Sequence, residues 1–155
     1  MSDETQRIEA RVTGHPFLSG MPTNHIKVLA GCAKLLRFAS EEMVFRAGQP
    51  ADGFYLVESG EVAIDAATKK KKPVTIDTVS AGDPLGWSWI FEPYRWQYDA
   101  RATQPTTALF FDAAVLRQHR GDDGTFGHEL FKRMSEVMVK RLQAARGKLV
   151  DALED

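Results

Sequence analysis

Residues 86–102 bring together side chains that could bind a small molecule. The stretch of Gly86, Trp87 and Ser88 can offer turn N–H groups to an anion, and an arginine can add a charge-assisted contact. Aromatic rings can stack on a flat ligand while a polar neighbour such as Arg95 or Gln97 orients it. We expect about half of the aromatic residues here to form core and the others to line a pocket. They are Trp87, Trp89, Phe91, Tyr94, Trp96 and Tyr98.

Five glycines separate short β-prone runs before and within this region. Turns between strands use glycine where the backbone needs a positive φ or a close approach. Short strands at this spacing predict a closed or double-layered β structure. The glycines are Gly48, Gly53, Gly60, Gly82 and Gly86. Aromatic and β-branched content predicts strands at residues 43–45, 54–57, 61–65, 74–79 and 106–111.

Helical patterns flank the β region on both sides. Thr23 or Asn24 is expected to cap a helix that runs to Leu36. A short helix is predicted at residues 113–119, followed by a turn with a helix cap at Asp123. A long helix then begins near Thr125, with apolar residues every three or four positions. This apolar stripe consists of Phe126, Leu130, Met134, Val137, Met138, Leu142, Ala145 and Leu149.

The glycine-punctuated stretches at residues 45–62 and 81–87 resemble the β-roll of the cyclic-nucleotide-binding domain in the catabolite-activator/fumarate-nitrate-regulator (Crp/Fnr-like) superfamily. The resemblance covers about residues 16–149 and implies a mainly β fold with flanking helices. That fold is a double-stranded β-helix, a jelly-roll-like β-roll, with N-terminal helices and a long C-terminal helix. It implies an N-terminal extension at residues 1–15 and one domain at 16–155, with the β-roll at about 36–112 and the C-terminal helix at about 125–150.

The resemblance also implies a ligand site, with cAMP, cGMP or another small molecule as the ligand. In the family, a glutamate beside the turn glycine contacts the ribose and an arginine ten positions after that glycine binds the cyclic phosphate. Trp87 and Trp96 occupy these two positions, Arg95 lies one residue early and Arg101 five residues late. The expected ligand-binding residues are Leu85, Gly86, Trp87, Ser88, Arg95, Trp96 and Gln97.

In regulators of this superfamily the long C-terminal helix forms a dimer seam, so the resemblance implies a homodimer. These regulators usually continue into a helix-turn-helix domain, and this chain ends at Asp155. We therefore expect no direct nucleic-acid binding by this chain, unless it is a fragment, and signalling through a separate effector protein. The expected dimer residues are Met134, Val137, Met138, Arg141, Leu142 and Ala145.

Composition narrows the remaining function classes. The 155 residues, 43% hydrophobic and with a net charge of -1, fit one globular domain without a global basic field. No apolar run has the length of a membrane span, and the polar N-terminus predicts a cytosolic protein without membrane contact. The one cysteine, Cys32, is expected to be a buried thiol.

Catalytic motifs are missing from the sequence, because it has no nucleophile elbow, Walker loop, dinucleotide fingerprint or metal-ligand cluster. We therefore expect no enzyme, no cofactor and no metal. Three hypotheses remain: a stand-alone cyclic-nucleotide-binding-like sensory module, an interaction domain that has kept the fold without a ligand, and the sensor half of a DNA-binding regulator. Tryptophans packed across the cleft would favour the second hypothesis, and an empty polar cleft would favour the first.

Overall fold

The computed structural model describes residues 3–70, 72–120 and 124–154. These residues form four α-helices, eight strands and two single turns of 3-10 helix, at Pro16–Leu18 and Ser88–Ile90. The helices are α1 (Asp3–Gly14), α2 (Thr23–Cys32), α3 (Ala113–Arg120) and α4 (Gly124–Glu154). The strands are β1 (Ala33–Phe38), β2 (Met43–Phe45), β3 (Gly53–Ser59), β4 (Glu61–Ala66), β5 (Val74–Ser80), β6 (Pro84–Leu85), β7 (Asp99–Ala102) and β8 (Thr106–Asp112).

The strands form two antiparallel four-stranded sheets, in the orders β1-β8-β3-β6 and β2-β7-β4-β5. Both sheets contribute to one hydrophobic cluster, with Leu56 and Leu109 from the first and Val62 and Val79 from the second. Strand β3 is buried continuously over residues 53–57, because α3 packs on it in addition to its sheet neighbours. The predicted jelly-roll-like β fold with N-terminal helices and a long C-terminal helix is confirmed.

All five predicted strands are present, within one or two residues of their expected ends. Strands β1, β6 and β7 were not predicted. Strand β7 lies between β2 and β4, so its pairing comes from distant partners, since Asp99–Ala102 has little β propensity of its own. Four of the five predicted turn glycines have positive φ, and Gly53 lies in β3 against the β8 backbone.

The predicted helix begins within a residue of its expected start, but its expected end at Leu36 is wrong. Helix α2 ends at Cys32, and Ala33–Phe38 forms β1, which pairs with β8 from Ala33↔Phe111 to Phe38↔Thr106. The spacing of the apolar residues fits either structure, and the open edge of β8 supplies hydrogen bonds that favour the strand. Neither Thr23 nor Asn24 caps the helix, because Pro22 holds the N-cap position and its carbonyl accepts from the first-turn N–H groups.

The N-terminal helix α1 lies within the span expected to be an extension, and its Val12 is fully buried in the core. His15 follows it and bridges two backbone groups. The His15 Nδ1 accepts from the Phe17 N–H at 3.2 Å, so Nε2 carries the proton and donates to the Val57 carbonyl at 2.8 Å. These bonds hold the N-terminal segment against β3.

The long helix α4 has two differently packed halves. Phe126, Leu130 and Met134 are buried in the main core, and Arg133 donates to the Phe17 and Ser19 carbonyls at 2.8 and 2.9 Å. Residues 142–154 are all exposed, so the C-terminal half extends away from the β-roll. The helix cap expected at Asp123 lies outside the described residues.

Cys32 is buried, as predicted, and its thiol contacts the Leu29 carbonyl at 3.4 Å. Burial raises the pKa of the Cys32 thiol to about 11, and the nearby Asp112 carboxylate acts in the same direction. At neutral pH this thiol is therefore protonated and behaves as a small core residue.

Candidate functional site

A cavity of about 150 Å³ lies beside the turn at Gly86, and we call it the Gly86 cavity. It brings together six of the seven predicted ligand-binding residues and adds residues from β2, β4, β5 and α4. Its lining residues are Phe45, Ile64, Ile76, Asp77, Leu85, Gly86, Trp87, Ser88, Trp96, Gln97, Tyr98 and Arg141.

Trp96 fills one side of the Gly86 cavity. Its ring stacks on Phe45 with the centroids 3.8 Å apart and the planes 8° apart, and Trp96 is 5% exposed. The ring also lies directly over Gly86, where an added Cβ would stand 2.6 Å from Cζ3. Position 86 therefore requires glycine for two reasons, the φ of 92° and this close approach of the indole.

Arg95 lies outside the cavity, because the backbone around it is held in register with residues 48–51. The Gly48 and Trp96 N–H groups donate to Trp96 O at 2.8 Å and Gln49 O at 3.0 Å, respectively. Neighbouring side chains of an extended segment point to opposite sides. Trp96 therefore points inward, and the exposed Arg95 donates from Nη1 to the Gly48 carbonyl at 2.8 Å.

The Arg101 side chain is also bound to groups other than the cavity, namely two carboxylates. It donates to Asp65 at 3.1 Å and to Glu41 at 2.8 Å, and these hydrogen bonds raise the pKa of its guanidinium. Asp99 accepts from the Ala47 N–H at 2.8 Å and is not among the cavity-lining residues. Neither arginine near the expected position therefore contributes a charge to the Gly86 cavity.

The cation in the cavity wall is Arg141, from helix α4. Its Nη2 donates to the Pro84 carbonyl at 2.6 Å, and its Cζ lies 5.2 Å from the centroid of the Trp87 ring. Burial lowers the pKa of Arg141, while the charges of Asp77 and Asp83 oppose that effect. We expected Arg141 in the dimer seam. Its contact with Pro84 joins residues 57 apart in sequence, and no local pattern indicates it.

The six aromatic residues divide between the core and two cavities, but only two of them are buried where about half were expected. Trp89 and Trp96 are buried, and Trp89 stacks on Phe54 at 5.4 Å. Trp87 and Tyr98 line the Gly86 cavity. Phe91 and Tyr94 line a separate, wider groove of about 570 Å³ against the first half of α4.

The residues predicted for a dimer seam have different environments. Met134 is buried in the core of its own chain, and Val137 and Met138 are half-buried. Leu142 and Ala145 are exposed, and Leu142 keeps 51% of its surface in solvent. Exposed apolar residues continue to the end of α4, with Leu149 at 60% and Leu153 at 77%.

Residues 3–70, 72–120 and 124–154 contain neither a candidate metal site nor a candidate membrane-spanning helix. This part of the chain contains no group of three or more histidine, cysteine or acidic residues able to hold a metal ion. Among its helices, none is both long enough and apolar enough to span a bilayer.

Comparison with known proteins supports the fold. The family model for the cyclic nucleotide-binding domain matches residues 35–121. No curated protein matches the sequence. A proposed cyclic nucleotide-binding protein of Geobacter metallireducens GS-15 has 22% identity and a TM-score of 0.74, with 92% of this chain and 99% of that chain covered.

Two other solved structures have the same fold. A cyclic nucleotide-binding domain from Methylobacillus flagellatus KT has 17% identity and a TM-score of 0.79, covering 96% of this chain and 84% of that one. The sensor domain of the transcriptional regulator DNR from Pseudomonas aeruginosa has 19% identity and a TM-score of 0.70, covering 90% and 95%.

Proposed function

Because this chain belongs to the cyclic nucleotide-binding domain family, we propose that it is a regulatory module that reports occupancy of the Gly86 cavity through helix α4. A sensor domain of a transcriptional regulator has the same fold, which supports a sensory role over a catalytic one. Fold alone does not choose the ligand, so that part of the proposal rests on the cavity.

The observation that carries the proposal is the position of Arg141. This residue belongs to α4, yet its guanidinium lies against Trp87 and donates to Pro84 O in β6, immediately before the turn. Because Arg141 lines the cavity, a molecule that fills it lies against Arg141 or displaces it. Either event changes an interaction that holds the middle of α4 on the β-roll.

The mechanism is a shift between two packings of α4. A ligand that binds better when Arg141 faces the cavity stabilises the docked helix, and one that displaces Arg141 stabilises the released helix. The exposed half beyond Leu142 is the output surface. It is proposed to meet a second copy of this chain, as a homodimer, or a separate effector protein.

Cyclic AMP and cyclic GMP are poor candidates for a tight ligand in this cavity. Trp87 and Trp96 replace the family's glutamate and arginine, and Trp96 occupies space beside Gly86. A cavity of about 150 Å³ also falls below the range of about 300–1,000 Å³ that drug-sized ligands use. A smaller ligand fits the observed geometry better.

A cytosolic location and the lack of nucleic-acid binding stay predictions.

A second function is favoured by the packing of Trp96. Its stacking on Phe45, with 5% exposure, matches a site filled by its own side chains. In that alternative the chain is a ligand-free interaction domain that uses the same α4 surface. The two functions differ in whether a change in the cavity alters the packing of α4.

Amide hydrogen exchange of the Arg141→Gln variant tests this coupling without any ligand. Loss of the Pro84 and Trp87 contacts should speed exchange both around residues 84–90 and in the middle of α4. Each amide exchanges when the segment around it opens, and these contacts stabilise both segments against opening. Arg146→Gln is the matched control, since Arg146 is exposed on the same helix. Unchanged exchange at residues 84–90 in Arg141→Gln would refute the coupling and favour the interaction domain.

A further inference from the structure

The Gly86 cavity also carries information about the class of its ligand. We infer that it binds a small molecule with one aromatic ring and one carboxylate, and that Arg141 is the residue that binds the carboxylate. This inference rests on the proposed function, since it concerns the ligand of the same site. It follows from the size of the cavity, its walls and its charges.

Size limits the ligand to about one ring. An apolar protein cavity of about 150 Å³ can hold a single benzene molecule, and the Gly86 cavity has about this volume. Its walls include the stacked pair of Phe45 and Trp96, together with Leu85 and Ile64. Planar aromatic walls favour a flat ring, because offset and edge-on ring contacts add to the burial of area.

Charge selects an anion at one end of that ring. Arg141 lines the cavity, and a guanidinium has five N–H donors in a fixed fork. The hydrogen bond to Pro84 O uses one of them, so donors remain for the two oxygens of a carboxylate. The contact with Trp87 holds the guanidinium in place before a ligand arrives, which lowers the entropy lost on binding.

A single negative charge fits better than two. Asp77 lines the cavity, and Asp77 and Asp83 lie close enough to Arg141 to influence its ionisation. A dianionic phosphate monoester would meet these carboxylates as like charges, whereas a carboxylate brings the least negative charge that a bidentate pair requires. Burial of Arg141 disfavours its charged form, so a bound anion recovers part of that free energy.

Three acids and their neutral amides test the inference on the full-length protein. The probes are benzoate, phenylacetate and 3-phenylpropionate, each paired with the corresponding primary amide of the same shape. We expect saturable binding of at least one carboxylate by calorimetry or ligand-observed NMR. Its amide should bind at least about tenfold more weakly, because it lacks the charge-assisted contact.

Variants then assign the contact to Arg141. Arg141→Gln should weaken carboxylate binding by at least about tenfold, and Arg141→Lys should recover part of it, since lysine keeps the charge without the fork. Arg146→Gln should bind like the wild type. Circular dichroism checks that each variant is folded. If Arg141→Gln does not fold, Arg141→Lys still tests whether the guanidinium binds the carboxylate.

Three results would overturn the inference: no binding by any of the carboxylates, equal binding of a carboxylate and its amide, or undiminished carboxylate binding by folded Arg141→Gln. The exchange experiment on Arg141→Gln needs no ligand, so it separates the two proposals. Coupled exchange without carboxylate binding would leave the regulatory function standing and reject this ligand class.

Discussion

The identity of residue 96 changes what the site can recognise. An arginine there would offer a charge to a phosphate, whereas Trp96 stacks on Phe45 and covers Gly86. The positive charge comes instead from Arg141 on α4, which lies against the Trp87 ring. The site therefore keeps one cation and one turn, but the cation belongs to the element that is proposed to transmit the signal.

Gly86→Ala tests how tightly Trp96 and the turn are packed. The added Cβ would stand 2.6 Å from Trp96 Cζ3 and 2.7 Å from Cη2, so the indole or the turn must move. Gly48→Ala is the matched control, because Gly48 has a similar φ of 87° and no heavy atom within 4 Å of the added Cβ. We expect Gly86→Ala to lower the free energy of unfolding by about 1–3 kcal/mol more than Gly48→Ala does.

Urea denaturation of both alanine variants measures that difference. In a Trp96→Phe background the extra cost of Gly86→Ala should shrink, because the two clashing atoms belong to the larger ring of the indole. Equal costs for the two glycine substitutions would mean that Trp96 does not press on the turn.

Cys32 gives a prediction for alkaline pH. The pKa of its thiol rises from an ordinary value of 9.0 to about 11 in the folded protein, because of burial and the Asp112 charge. Between these values the unfolded chain loses the thiol proton and the folded chain keeps it, so stability falls as the pH rises from 9 to 11. Below pH 9 this contribution is fully present.

Cys32→Ser is the control for that titration, since a serine hydroxyl does not ionise in this range. The wild-type stability minus that of Cys32→Ser, measured by urea denaturation, should decline between pH 9 and 11 and then level off. Tyr55, whose pKa burial raises to about 12, titrates in both proteins and cancels. A difference that does not vary with pH would show that Cys32 ionises equally in both states.

At the scale of elements, local sequence predicts the strands that have their own β propensity and flanking glycines. Strands β3 and β4 are examples, since aromatic and β-branched residues fill them and Gly60 separates them. Strand β7 lacks those signals and forms because β2 and β4 lie on either side of it. The end of α2 was mispredicted for the same reason, because β8 is a partner that no local pattern reveals.

The candidate site divides in the same way. The turn glycine, its tryptophan and the serine are neighbours in sequence, so their grouping was predictable, and all three line the cavity. Arg95 was predicted by proximity, but the alternation of side chains places it outside. Arg141 was missed as a ligand-site residue because its position depends on how α4 packs against β6.

Helix α4 should show two separate energetic roles along its length. Leu130 is 4% exposed in the core, so Leu130→Ala should lower the free energy of unfolding by about 2–5 kcal/mol. Leu149 is 60% exposed, so Leu149→Ala should change monomer stability by less than about 0.5 kcal/mol. If the exposed half is a dimer seam, Leu149→Ala should instead weaken association, measured by sedimentation velocity over a range of concentrations.

For the molecule as a whole, the fold and the ligand are separate conclusions. The family match and the TM-scores above 0.7 for two solved structures establish the architecture. We propose that Trp87 and Trp96 replace two family contacts with cyclic nucleotides, and a charge-assisted hydrogen bond contributes about 1.5–3 kcal/mol. Each loss therefore weakens binding by about one to two decades.

We accordingly expect calorimetric titration of the wild-type protein with cAMP or cGMP to give a dissociation constant above about 100 μM. Trp96→Arg should gain cAMP affinity, because it returns a guanidinium to the position opposite Gly86. It should also lower stability by about 3–5 kcal/mol, since it removes a buried indole. Trp96→Gln loses the same indole without gaining a charge, so it separates the two effects.

The comparison of these two variants decides what the tryptophan does. A gain in Trp96→Arg alone would show that the loss of one charge explains the weak binding and that the rest of the cassette is intact. A gain in both variants would show that the indole excludes the nucleotide by volume. Tight saturable binding by the wild type would contradict the prediction, and its loss in Arg141→Gln would then place the phosphate on α4 itself.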